Sequence, residues 1–146
     1  MGVHHISWLA TASGLEDENL VAKAMAWLIG DSESVRIEKT TSFHGSTVNL
    51  VTAELLRKGP ATKSLARLGA DAIDTILSDL QSRLDDENVL HIRLDLLELL
   101  AGRVKVCLPS SRASIKGRTK LQVYPSDDPL QVAISTLEDA KNLCNQ

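Results

Sequence analysis

Aromatic side chains are scarce: Trp8, Trp27, Phe43 and Tyr124 are all that 146 residues contain. Sheets that read single-stranded nucleic acid typically present two or three stacking platforms on one face. This chain does not supply them, so base stacking on a sheet has little support. Cysteine is equally sparse. Cys107 and Cys144 make no disulfide framework and lack zinc-ligand spacing. No apolar run is long enough to span a membrane. The start of the chain lacks the basic-then-apolar layout of a signal peptide. Ile6 stands where a Met-Gly myristoylation signal needs Ser or Thr. These readings point to the cytoplasm. A phosphate-binding loop, a dinucleotide fingerprint and a nucleophile elbow are all missing. Among the histidines, His4 and His5 are strand neighbours expected to face opposite ways, and His91 with Asp95 matches no metal-ligand pattern. The expectation is a protein without catalysis, cofactor or metal.

What is present is a marked segregation of charge. The chain carries a formal charge of -3 and a pI of about 5.8, which counts against generic nucleic-acid binding. Yet Arg103 to Tyr124 contains Arg103, Lys105, Arg112, Lys116, Arg118 and Lys120 and no acid, so the remainder of the chain sums to -9. Val104, Val106 and Leu108 alternate with polar residues. So do Ile115, Thr119, Leu121 and Val123. A period of two predicts two strands, each with one apolar face. Residues 109–114 between them have loop composition. If the two strands pair as a hairpin, the basic side chains gather on one face. Like charges at that spacing destabilise a sheet unless an anion sits among them. A solvated face, or an edge guarded by lysine, is the plainer alternative. The acidic remainder favours a polyanion site.

Elsewhere the pattern predicts a strand from His4 to Ala12 and a helix opened by the capping box Ser13-Gly14-Leu15-Glu16 and closed by Gly30. Leu20, Val21, Ala24, Trp27 and Leu28 form its stripe, which would make Trp27, like Trp8, a core residue. Val35 and Ile37 mark a second strand, and Phe43 to Ser46 a turn. Residues 47–56 form a third strand, apolar on both sides and therefore without an assignable register. Helices follow at 62–68 and 71–84, then the acidic loop 85–88. Next comes a strand at 89–94 with Leu90, Ile92 and Leu94 inward and His91 and Arg93 outward. Asp95 caps a short helix that Gly102 ends, and Asp128 with Pro129 opens a last helix. Neither linker nor repeat interrupts the chain. The expectation is one domain, 1–146, of class α+β. Its sheet is mostly antiparallel, with helices packed on one face and a basic face left open.

In four places the chain resembles an archaeal family of predicted RNA-binding proteins described as exosome-associated. Ala10-Thr11-Ala12-Ser13 resembles the family's opening strand and helix, and His44-Gly45-Ser46 its His-Gly turn. Ile92-Arg93-Leu94-Asp95 resembles its Arg-Leu-Asp strand end, and Val123-Tyr124-Pro125 its final Tyr-Pro strand. The resemblance implies a fold like the ribosomal protein that binds 5S ribosomal RNA. Ser46-Thr47 departs from the family's common Asn-Pro, and Leu96-Leu97 from its Lys-Gln, which removes a cation beside the expected face. Together these readings predict a non-catalytic binder of structured RNA that contacts the phosphate backbone through the basic hairpin. Arg103, Lys105, Lys116, Arg118 and Lys120 would meet phosphates, and Arg112 would reach in from the loop. Arg93 and Arg36 would extend the patch, with Tyr124 as its one aromatic. His44 is either a turn residue or a phosphate contact. The alternative is a protein-interaction module, in which the acidic region Asp71 to Glu98 and the basic segment dock on another subunit or across a homodimer.

Overall fold

The computed structural model describes residues 3–12, 18–41, 45, 47–107 and 114–144. It is an α+β fold. Strands β1 (Val3–Ala12), β2 (Val35–Thr41), β3 (Thr47–Leu55), β4 (Val89–Asp95) and β5 (Ser114–Leu121) form a five-stranded sheet in the order β2-β3-β1-β5-β4. Every pairing is antiparallel. The helices are α1 (Glu18–Ile29), α2 (Lys58–Ala66), α3 (Ala70–Ser78), α4 (Leu80–Arg83), α5 (Leu96–Leu100) and α6 (Pro129–Cys144), with one 3₁₀ turn at Ser32–Ser34.

Strand alternation decides which face is covered. Ile6, Trp8 and Ala10 of β1 are buried on one side of the sheet. So are Val51, Ala53 and Leu55 of β3, Leu90, Ile92 and Leu94 of β4, and Ile115 and Leu121 of β5. They pack against Val21, Met25 and Leu28 of α1, Leu65 of α2, and Ala133, Leu137 and Ala140 of α6 in one core. The register of β3, illegible in its apolar sequence, is set by this burial. The indole N–H of Trp8 donates to Ser64 Oγ at 3.1 Å, and Ser64 donates in turn to the Leu28 carbonyl at 2.6 Å. This buried chain of bonds ties the sheet to α2 and to the end of α1, and satisfies polar groups that would otherwise be costly.

Several expectations need correction. Trp27 is 50% exposed, and Leu20 lies out beside it. The apolar arc of α1 is wider than the arc it buries: Val21 and Leu28 reach the core as expected, and Met25 joins them where Trp27 was expected. The helix expected at 71–84 is two helices, because Asp79 leaves helical geometry at φ -132°. Helix α2 begins at Lys58, with Gly59-Pro60 inside its first turn. A proline is tolerated there because its missing N–H has no intrahelical partner to lose. The caps at Asp95 and Asp128 are as expected. Asp95 accepts from the Glu98 N–H and Asp128 from the Leu130 N–H. The capping box at 13–16 lies outside the described residues, as does most of the turn at 43–46.

The largest correction concerns the basic hairpin, which does not form. Both edges of β5 are occupied, one by β1 and the other by β4. No edge remains there for residues 103–107. Helix α5 folds back directly after β4, and Gly102, at φ +88°, turns the chain alongside the free edge of β4. Leu94 bridges Val106, the Asp95 N–H donates to the Lys105 carbonyl, and the Cys107 N–H donates to the Arg93 carbonyl. The two basic segments thus flank β4 on opposite sides.

Candidate nucleic-acid interface

Residues directly opposite in an antiparallel pair share a face, so the rungs of the ladder give the composition of the side without helices. Lys116, Arg118 and Lys120 leave β5 on that side, while Ile115, Gly117, Thr119 and Leu121 point inward. Arg93 stands opposite Lys116, and His91 opposite Arg118. On the other flank of β5, Leu9 meets Lys116, Ser7 meets Arg118 and His5 meets Lys120. The bridge from Leu94 to Val106 puts Cys107 beside Arg93 and Lys105 beside Asp95. Cations from β4, β5 and the flanking segment therefore converge on one open surface, even without a hairpin.

The cations differ in how they are held. Lys116 and Arg118 are exposed and make no ion pair with any described residue. The Lys120 ammonium donates to the Glu87 carbonyl and is part of how the start of β4 is held. Arg103 is committed to Glu98, with Nε 2.6 Å from Oε2. The bond to that carboxylate raises the guanidinium pKa and keeps Arg103 charged, but the charge faces Glu98 and is offset by it. Arg36 also lies on the open face, at the far end of the rung through Lys116, Leu9 and Thr52. It shares a cleft of about 730 Å³ with Arg118, but Glu33, Glu38 and Glu54 line that cleft too. The surface is therefore divided, basic over β4 and β5 and mixed over β3 and β2.

Tyr124 is not on this surface. Beyond Leu121 the chain leaves the sheet, and Tyr124 lines a cavity of about 430 Å³ with Lys58 of α2 and Gln131 of α6. Gln122 Nε2 donates to its hydroxyl at 2.9 Å. Arg112 and His44 lie outside the described residues. A β-bulge between Val3 and His5 undoes the simple alternation there and brings the rings of His4 and His5 to 5.1 Å.

His91 joins the surface although it was not among the expected RNA contacts, as its alternation with Arg93 implies. Its Nε2 lies 2.8 Å from Asp85 Oδ2, and Asp85 Oδ1 accepts from the N–H groups of Glu87 and Val89. The bond from His91 leads in holding the Asp85 carboxyl below its ordinary value, against a smaller desolvation effect, and the two backbone bonds add to it. A depressed folded-state pKa stabilises above the unfolded value and is lost as pH falls through the folded one. Asp85→Asn is accordingly expected to flatten the acid limb of the stability profile, below about pH 4. Chemical denaturation across that range checks it, and an unaltered limb would refute it.

A family model described as RNA binding matches residues 5–121. That span takes in the whole of β1 to β5 apart from the first residues of β1. No curated protein matches. Solved structures do. A DUF54 protein of Methanothermobacter thermautotrophicus is 21% identical with a TM-score of 0.77, covering 96% of this chain and 98% of that one. A DUF54 protein of Archaeoglobus fulgidus is 26% identical with a TM-score of 0.72, covering 97% and 99%. A UPF0201 protein of Methanococcus jannaschii, 14% identical, reaches 0.62 over 91% and 98%. These structural neighbours are archaeal. Among the described residues, no helix is long and apolar enough to cross a membrane.

Proposed function

The chain belongs to this RNA-binding family, and on that premise we propose that it binds structured RNA through the open face of β4 and β5. Lys116 and Arg118 of β5 engage phosphates, Arg93 and Lys105 extend the contact, and Lys120 borders it. The observation that carries this reading is the row Lys116 and Arg118, exposed on a helix-free face and without a carboxylate partner among the described residues. Such a row is electrostatically unfavourable until an anion joins it. The described part of the face presents no Phe, Tyr or Trp, and its centre is Leu9, 36% exposed. Recognition therefore falls to backbone and shape rather than to stacked bases. RNA-processing or degradation machinery is the setting that the exosome-associated resemblance supports, and copurification of bound RNA and protein from the native cell addresses it.

Phosphate contacts release counterions, so each one steepens the salt dependence. Four contacts predict a loss of affinity of roughly 50- to 150-fold for a structured RNA between about 50 and 200 mM salt. Fluorescence anisotropy titrations at both concentrations measure it. Affinity that does not change with salt would overturn the proposal.

A further inference from the structure

Strand β2 ends the sheet, and no described strand lies beyond it. An edge strand of this length leaves a row of backbone N–H and C=O groups able to pair with another strand. Edges are usually guarded by charge, and here the guard is mixed in sign: Arg36, Glu38 and Lys39. Between them, Ile37 is 42% exposed. It points to the helix side, over a shallow groove that it lines with Val35 and with Ala22, Lys23 and Ala26 of α1. An open backbone edge and an open apolar side chain coincide.

The charge pattern of this edge is complementary to itself. Consider an antiparallel pair of β2 strands about a twofold axis. Keeping both helix layers on one side of the joined sheet requires the axis to pass through a residue rather than between two, because opposite residues must share a face. An axis through Arg36, Glu38 or Lys39 sets that charge against its own copy. An axis through Ile37 instead sets Arg36 against Glu38 of the partner subunit, twice, and Ile37 against the partner's Ile37. The two opposite-charge pairs fall on the open face. The isoleucine pair falls on the helix side, flanked by α1. Such an isologous contact is the commonest form of homodimer.

We infer that two copies of this chain join through β2, antiparallel and centred on Ile37, so that their five-stranded sheets become one continuous sheet. Both open faces then lie on the same side and merge into a single surface. The inference rests on the edge strand and its register, and holds whether or not RNA binds that surface.

Sedimentation velocity across a concentration series, without nucleic acid, tests it. The unaltered protein is expected to form a dimer that dissociates on dilution. Glu38→Arg replaces two attractive pairs by two repulsive ones and is expected to weaken the dimer at least about tenfold. The swap Arg36→Glu with Glu38→Arg restores both pairs in reverse and is expected to return the dissociation constant to within about threefold of the original. Recovery by the swap distinguishes a broken interface from a damaged fold. A chain that stays monomeric at every concentration, a dimer indifferent to Glu38→Arg, or a swap no better than the single change would each overturn the inference.

Discussion

Replacing Lys116 and Arg118 together by glutamate is expected to lower affinity for a structured RNA by roughly a hundredfold at about 100 mM salt, equivalent to about 2.7 kcal/mol. Each change removes a phosphate contact and puts a like charge against the backbone that remains. The fold should tolerate it. Both side chains are exposed, neither is ion-paired among the described residues, and surface changes of this kind usually stay within about 0.5 kcal/mol. Glutamate at 116 and 118 would also lie opposite Arg93 and His91, which relieves repulsion across the ladder. Lys120 is left out because it holds the Glu87 carbonyl, and its loss would mix a structural effect with a binding one. Arg103→Glu is the control. That cation already spends its charge on Glu98, so its reversal should cost far less affinity than the pair on β5. Anisotropy titrations of all three proteins, with thermal melts alongside, decide the matter. A double variant that binds as tightly as the unaltered chain would end the reading of the open face as the RNA surface.

The sequence disclosed faces better than neighbours. Alternation at 89–94 and 115–121 assigned the exposed and buried sides of both strands, because that assignment depends only on the pleat. It placed Arg93, His91, Lys116 and Arg118 on one side whichever strands pair. Pairing is a different question. Residues 103–107 have the same alternation, and nothing in it says whether they lie beside β5 or beside β4. The answer came from topology, since β5 is an interior strand and α5 returns the chain to the outer edge of β4. Trp27 departs from its expected place in the core for a related reason. A helix with apolar residues over more than one stripe can bury only one of them, and Met25 rather than Trp27 meets the sheet. Tyr124 follows the period of β5 in sequence but stands past its end, where alternation no longer reports a face.

The second large effect concerns Gly117, which lies at the centre of the covered face of β5, between Trp8 of β1 and Ile92 of β4. A Cβ at this position would sit 2.5 Å from Trp8 Cζ3 and 2.8 Å from Cε3. The indole cannot yield freely. Trp8 is 1% exposed, and its N–H is fixed to Ser64. Relief by the backbone is also expensive, because β5 is laddered on both sides. Gly117→Ala is therefore expected to destabilise the fold by about 2–3 kcal/mol, at the upper end of what overpacking costs. This is the reverse of the gain that alanine usually brings a strand or helix by restricting the unfolded chain. The clash is specific to one ring, so it should be relieved by shrinking that ring. In Trp8→Leu the same alanine should cost clearly less, a coupling of about 1 kcal/mol or more between the two positions. Denaturant unfolding of the two single variants and the double variant closes the cycle. If Gly117→Ala were neutral, or its cost the same with either residue at 8, the indole would not be what excludes a side chain at 117.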